Sequence, residues 1–437
     1  MKEITKAASK SLVILILTYL AKKVLHRYQP KIIAITGSVG KTTTKDAIYA
    51  AVSPYKLARK SEKSFNSEIG VPLTILGCRN AWLNLLLWLE NFLRGLWLIL
   101  KKQDYPDWLV LEVGADRPGD IQKISTWLKP DIVVVTHIPK IPVHVEYFSS
   151  PQELLREKMF IAKALKEKGV LILNADDEDV LRLGQDIQRK KVTYGLKNNA
   201  DVVAGDVLFE SKIENGVELP TGMVFNLITD RKETPVNINN VLGNHIALSC
   251  AAATAVALQI GITLIDVSKG LSRFSNPAGR MSLIKGIKNS IIIDDTYNSS
   301  PGALEEALET LQKINTNSRK ISVLGDMLEL GRFSIGEHRR LGKITAKVSD
   351  ILVTVGLRAR DFAMGALDGG MKENHIFQYE NSVEAGKEIQ NFIKTGDILL
   401  VKGSQGVRME KCVEEIMAQP ERKEELLVRQ SKEWKNK

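Results

Sequence analysis

Two kinds of hydrophobic run alternate along this chain. Short ones, rich in Ile, Val and Leu and closed by Gly, Asn, Asp or Pro, read as buried strands: Lys31 to Thr36, the run from Trp108 that ends at Glu112, Asp131 to Thr136, and Gly169 to Asn174. Helical patterns lie between them, from about Thr42 to Val52 and from Pro151 to Lys166. Asp201 to Asn240 alternates like antiparallel strands, and Asn240 to Ile260 reads as a helix whose alanines permit close packing. Pro and Gly between Asn276 and Gly279 mark a boundary. Beyond it strands near Ile291 to Asp295, Ile321 to Gly325, Ile351 to Val355 and Ile398 to Val401 alternate with helices. The expected class is α/β, with a parallel sheet in a central domain (31–278) and a doubly wound C-terminal α/β domain (279–437) that ends in a charged tail.

Two longer apolar runs break this rhythm. Ser11 to Ala21 lies in a short apolar and basic segment (1–30), with Lys2, Lys6 and Lys10 before it and Lys22 and Lys23 after it. As a helix it covers only about 16 Å, against the ~30 Å of a bilayer core, and no small-residue cleavage site follows. It reads as an interfacial anchor, a short core helix or a marginal signal anchor. Ala81 to Leu100 holds three of the six tryptophans, and its polar residues Asn84, Glu90, Asn91, Arg94 and Gly95 fall within a wedge of roughly 140°. Such a helix lies in a membrane interface or packs as a buried or dimer helix. The expectation is a cytoplasmic enzyme held peripherally on the inner face of the membrane.

The 437 residues are 44% apolar and 26% charged, which is globular composition with ample core for two or three domains. A formal charge of +10 suits anionic partners. No zinc-finger, RRM-like or arginine-rich stretch points to nucleic acid. Cys78, Cys250 and Cys412 lack CxxC spacing, so a disulfide framework or zinc site is not expected.

Chemistry concentrates after the first strand, where TGSVGKTTTK turns into a helix. Gly37 and Gly40 let backbone wrap a polyphosphate, Lys41 reaches the β- and γ-phosphates, and the Thr42 hydroxyl holds Mg²⁺. The nucleotide set is Thr36, Gly37, Ser38, Val39, Gly40, Lys41, Thr42 and Thr43. Ile35 stands where the longer GxxxxGK[ST] form has its first glycine, so a plain strand-to-helix turn with a surface lysine is the alternative. Glu112, at a strand end beside this loop, is a candidate Mg²⁺ ligand. Asn66, Ser67 and Glu68, before Gly70 and Pro72, line a phosphate or substrate pocket or form a turn into a helix. His137 and His144 follow the Asp131 to Thr136 strand, and Asp176 and Asp177 would cap a helix. Past the boundary, Arg280, Asp294, Asp295, Tyr297 and Asn298 cluster at the domain junction. Asp326 and Glu329 follow a strand, and Lys402, Gly403, Ser404 and Arg408 occupy a strand-to-helix turn. Each of these alone has an ordinary structural reading.

Taken in order, these segments resemble the Mur ligase family, ATP-dependent amide-bond-forming enzymes of cell-wall synthesis. TGSVGKTT is similar to its short phosphate loop, and FNSEIGVP, DDTYNSSP and LGDMLELG are similar to its dipeptide-adding branch. The resemblance runs from Lys31 to about Met417. It implies that His144 of HVEYFSS binds a second Mg²⁺ and that Lys158 of EKMFIAK is carbamylated, with Lys41, His144 and Lys158 catalytic and Thr42, Glu112, His144 and Lys158 at the metals. It implies that Asn244, His245, Arg280, Asp295 and Asn298 lie on the nucleotide side, and that Asn66, Ser67, Glu68, Asp326, Glu329, Lys402 and Ser404 bind substrate. Ile246 and Ser249 depart from the family's G-x-H-N-x-x-N pattern, where asparagines contact adenine.

The implied reaction is phosphorylation of the stem-peptide carboxylate by ATP, then attack on the acyl phosphate by the amine of D-alanyl-D-alanine. The muramoyl-peptide partner is UDP-linked or membrane-presented, because only about thirty residues precede the first strand, where the family usually has a domain gripping UDP. Two other readings stand beside this one: a Mur-like ligase for another peptide or polymer, such as a poly-γ-glutamate-type synthase, and a membrane-associated nucleotide-binding protein that has lost catalysis.

Overall fold

The isoleucine run ahead of the glycine turn forms strand β1 (Lys31–Thr36), with five of its six residues buried. The computed structural model describes residues 2–62, 65–82, 84–139, 145–197, 199–230, 232–431 and 434. Parallel to β1 on either side run β3 (Trp108–Glu112) and β4 (Ile132–Val135). Outside β3 lies β2 (Ala58–Lys60), and beyond β4 follow β5 (Val170–Asn174), β6 (Lys190–Gly195) and β7 (Val202–Glu214), still parallel. The antiparallel strands β8 (Val217–Thr229) and β9 (Lys232–Asn239) close the order β2-β3-β1-β4-β5-β6-β7-β8-β9.

The central strands are apolar throughout because helices cover both faces. Ile32 and Ala34 of β1 point into one core with α1 (Lys2–Tyr28) and α3 (Gly70–Leu76); Ile33 and Ile35 point into the other, with α2 (Lys41–Val52) and the alanine helix α8 (Asn244–Gln259). Between α3 and α8 lie α4 (Leu85–Leu100), α5 (Asp120–Ser125), α6 (Pro151–Lys163) and α7 (Glu178–Gln185). Asp177 caps α7, accepting from the Val180 amide at 3.1 Å.

The second sheet has β10 (Ser282–Gly286), β11 (Ser290–Asp295), β12 (Lys320–Gly325), β13 (Ile351–Val355), β14 (Ile376–Tyr379) and β15 (Ile398–Lys402) in the order β10-β11-β15-β12-β13-β14. All neighbours are parallel except β10 and β11. The two edge strands escape a reading by apolar runs because each carries only a few apolar residues, with β14 nowhere fully buried.

The N-terminal apolar run is a correction to the short helix expected from Ser11 to Ala21. It is the middle of α1, 27 residues long and so about 40 Å. No glycine or proline interrupts the chain before Pro30, which then restricts Gln29 and ends the helix. Leu17, Leu20, Ala21 and Val24 pack into the core beneath the sheet, while Leu12, Leu15 and Tyr19 face out. The second run likewise begins its helix only at Leu85, because the Asn84 side chain caps it by accepting from the Leu87 amide at 3.1 Å. Among the described residues no helix is long and apolar enough to cross a membrane.

Candidate active site

β1 delivers the chain to its turn through Gly37, whose φ of +138° and whose packing both exclude a side chain. A Cβ there would stand 2.0 Å from Thr136 Oγ1. The turn is braced from β4: the Ser38 and Val39 amides donate to the His137 carbonyl at 3.0 and 3.1 Å, and Thr136 Oγ1 donates to the Val39 carbonyl at 2.7 Å. Gly40, at φ +81°, then starts α2 with no side-chain cap, leaving first-turn amides of the helix for an anion. Gly37→Ala is expected to destabilise the protein by about 3 kcal/mol or more, from backbone strain and the forced movement of Thr136. Urea unfolding against wild type measures it, and a loss below about 1 kcal/mol would show that the brace yields.

Around the turn the structure gathers side chains far apart in sequence. Lys41 Nζ folds back onto the Ser38 carbonyl at 3.1 Å, and burial lowers its pKa against the opposing pull of Glu112. Thr42 Oγ1 donates to Glu112 Oε2 at 2.8 Å and accepts from Arg280 Nη2 at 3.1 Å. Asn66 Nδ2 donates to the other Glu112 oxygen at 3.3 Å, while its carbonyl accepts from the Gly114 amide at 2.9 Å, so the Asn66 loop is strapped to the end of β3. Lys158, on α6, is buried; desolvation and then the charge of Lys41 push its amine down to about 7.

The second sheet closes the site. The Arg280 guanidinium lies 4.1 Å from the centre of the Tyr297 ring, so one residue links that ring to the phosphate-loop helix. Lys402 Nζ donates to Asp295 Oδ2 at 2.5 Å and to the Asn298 carbonyl at 2.9 Å. A cavity of about 420 Å³ runs between the two sheets and is lined by Ser38 to Thr43, Asn66, Glu112, Lys158, His245, Arg280, Asp295, Asn298, Glu329 and Lys402. Four basic side chains, Lys41, Lys158, Arg280 and Lys402, share the lining with the carboxylates Glu112, Asp116, Asp295, Glu306 and Glu329. Cationic groups beside carboxylate oxygens suit a polyphosphate with a divalent ion. For such an ion, Thr42 Oγ1 and Glu112 are hard oxygen donors already in contact, of the kind Mg²⁺ takes alongside phosphate oxygens.

Several expected residues stand elsewhere. Thr36 and Gly37 support the turn from behind and do not line the cavity. Ser67 faces a second cavity, and Glu68 pairs with Lys123 at 3.3 Å. Asp326 Oδ1 accepts from the Ala359 amide at 2.7 Å, ahead of the helix Arg360–Asp368, and Ser404 Oγ accepts from the Leu328 amide at 2.9 Å, so both tie loops together. Asn244 opens α8 outside the cavity lining. Ser249 accepts a 3.1 Å hydrogen bond from Thr44 Oγ1, so it and buried Ile246 serve the packing of α8 on α2. His144 lies outside the described residues. His137 bonds Asp177 through Nδ1 at 2.8 Å; burial opposes its charge, but this bond and nearby Glu306 raise its pKa overall.

Sequence reasoning missed Asp116 and Glu306, which reach the cavity from a loop and a helix face, and Gln405, which sits within the turn of Lys402 to Arg408 but was not singled out there. It also missed Arg429 in the charged tail, which donates to Glu410 at 2.9 Å and to the Thr296 carbonyl at 3.1 Å beside Tyr297.

A nucleotide-type loop at the end of a parallel sheet, closed by a second α/β unit, is the architecture of an ATP-dependent ligase. Two family models match: the Mur ligase middle domain over residues 93–257 and the Mur ligase, glutamate ligase domain over 279–405. The chain is 30% identical over 405 residues to the UDP-N-acetylmuramoyl-tripeptide–D-alanyl-D-alanine ligase of Bacillus subtilis, covering 92% of this chain and 79% of that one. It is 26% identical to the Escherichia coli ligase of the same name, covering 90% and 78%. Among solved structures, MurF from Acinetobacter baumannii superposes with a TM-score of 0.75 at 26% identity, covering 92% of this chain and 79% of that one. MurF ligase from Thermotoga maritima in complex with ADP superposes at 0.74 and 25% identity, covering 92% and 83%. The chain belongs to the Mur ligase family. Within it, these relatives are of the type named for joining D-alanyl-D-alanine to a muramoyl tripeptide.

Proposed function

We propose that this protein uses ATP to join D-alanyl-D-alanine to the terminal carboxylate of a muramoyl tripeptide, a step of peptidoglycan precursor synthesis that forms ADP and phosphate. The observation that carries it is the single cavity in which Lys41 and Thr42 of the phosphate loop meet Arg280, Asp295 and Lys402 of the second sheet. The similarity to the dipeptide-adding relatives supports the choice of substrates. ATP as the driving substrate places the reaction in the cytoplasm.

In the first step a carboxylate oxygen attacks the γ-phosphorus and ADP leaves; in the second the dipeptide amine attacks the acyl carbon, phosphate leaves and the amine gives up a proton. Two anions must approach each other, and Lys41, Arg280 and the amides of α2, which line one cavity, would supply the opposing charge. Thr42 and Glu112 would hold one Mg²⁺, which would neutralise phosphate charge when bound. Lys158, neutral in part near pH 7, would react with CO₂ to a carbamate and with His144 would hold a second ion. Apposition of the second sheet would keep water from the acyl phosphate.

Release of ADP by the purified protein, given ATP, Mg²⁺ and a UDP-linked muramoyl tripeptide, tests the reading. D-alanyl-D-alanine is expected to support release at least about a hundredfold faster than D-alanine or glutamate, because a site that bonds both ends of a dipeptide would leave its polar groups unpaired with a single amino acid. Equal rates with glutamate would favour the polymer-synthase reading, and no release with any amine would favour a lapsed enzyme.

A further inference from the structure

Helix α4 turns the Asn91 and Gly95 side of its polar wedge inward, while Glu90, Arg94 and the Asn84 cap stay exposed along its flanks. Asn91 is 4% exposed and donates to the Arg79 carbonyl at 2.8 Å, and Gly95 lies so close to α1 that a Cβ would stand 2.9 Å from Leu20 Cδ1. Consequently Leu85, Leu86, Leu89, Leu93, Leu96, Trp97 and Leu100 occupy a continuous arc of roughly 120° on the outer side. Leu85 and Leu86 are 82% and 79% exposed, among the most exposed large apolar side chains of the molecule. Leu12, Leu15 and Tyr19 add an exposed stripe on α1. An uninterrupted apolar face of this extent marks a contact surface.

Charge identifies what it contacts. Leu20 meets Gly95, and the Tyr28 hydroxyl donates to the carbonyls of Leu98 and Lys101 at 3.0 and 3.3 Å, so the two helices run side by side in one direction. Their basic ends therefore coincide: Lys22, Lys23, His26 and Arg27 on α1, Lys101 and Lys102 after α4. Lys23 lies 5.6 Å from the Tyr19 ring centre and Lys101 5.2 Å from that of Trp97, cations drawn over aromatics at the rim of the apolar face. A second copy laid on this face with its helices parallel would set these basic ends against each other.

We propose that the α1–α4 face docks on an anionic lipid bilayer, its leucines and Trp97 in the interface and its lysines among the headgroups. Among the described residues neither helix is long and apolar enough to cross the bilayer. Trp82, two residues before the Asn84 cap, also lines the second cavity, which reaches Thr42 and Arg280. Docking thus brings a wall of that cavity beside the headgroups.

Flotation of the full-length protein with phosphatidylglycerol-rich vesicles, with phosphatidylcholine vesicles and without lipid tests this. The protein is expected to float with the first, at least about tenfold less with the second, and less as salt rises. The triple change L86S/L89S/L93S and the pair K101E/K102E are each expected to lower flotation about tenfold with Tm and ADP release from soluble substrates unchanged. Wild type left in the soluble fraction, or floating no better than the triple variant, would overturn the proposal. So would a wild-type dimer in sedimentation equilibrium that the triple change dissolves, since the occupant would then be a second copy.

Discussion

Lys41→Met is expected to lower ligation about 10²–10³-fold or more while leaving Tm unchanged or slightly raised. The lysine lies in the turn between Gly40 and Thr42, bonded only to a loop carbonyl among the contacts that define its position, and its ammonium is held at a cost from burial. Removing a half-buried cation that bonds a carbonyl rather than pairing tightly with a carboxylate does not cost folding energy. The reaction, by contrast, brings a carboxylate against a triphosphate, and a fixed positive charge at the transferring phosphoryl group contributes most where charge is redistributed in the transition state. The loss should fall on kcat more than on the KM for ATP, because Arg280 and the amides of α2, which line the same cavity, would still hold the nucleotide. Lys41→Arg should not rescue it, since a planar guanidinium fork does not reproduce the compact ammonium that folds onto the Ser38 carbonyl. Steady-state ADP release and thermal unfolding of the same preparations decide the matter: activity within tenfold of wild type would remove Lys41 from the phosphate site.

Lys158→Met is expected to abolish ligation to below about a thousandth of wild type and to raise Tm below neutral pH. The sign follows from burial. In the folded protein the amine titrates at about 7, whereas in the unfolded chain it titrates near the ordinary lysine value of about 10.4. Below pH 7 the folded state therefore carries a buried cation, and this destabilisation is greatest there. It fades as pH rises from about 7 towards 10.4, because the folded state releases a proton that the unfolded state keeps. Methionine removes the penalty, so the Tm gain should be largest at pH 6, about 2–4 °C, and shrink by pH 9. The same low pKa leaves enough neutral amine at pH 7–8 to take up CO₂. Wild-type activity should accordingly fall when bicarbonate is stripped from the buffer and return when it is added, and ¹³C-bicarbonate should give a carbamate signal absent from the methionine variant. Full activity in the variant, or indifference to bicarbonate, would show that the lysine is a spectator.

What could be read from the residues was local. The β-branched run before Gly37, the Gly-Lys-Thr turn and the helix after it are set by near neighbours along the chain, and the same holds for Asp177 at its helix start. Edge strands β10 and β14 were invisible because an edge needs little apolar surface. Asp326 and Ser404 shared a motif with cavity residues yet turned to hold loops, since one residue more or less along a turn reverses the direction of a side chain.

The sequence by itself determined the α/β class, the phosphate turn and the family, because each depends on periodicity or on a few contiguous residues whose backbone demands are fixed. Only the tertiary structure decided which distant groups share one space: Glu112 against Thr42, Arg280 between Thr42 and Tyr297, Asp295 on Lys402, and Lys158 buried near the Lys41 charge. It also decided which side of α4 faces out, for a helix wheel shows that a polar wedge exists but not that Asn91 bonds a neighbouring loop while Glu90 and Arg94 keep to water. The reason is the same in each case. Coulombic coupling and burial depend on separation in space and on the dielectric around the groups, and neither is encoded at any single position of the chain.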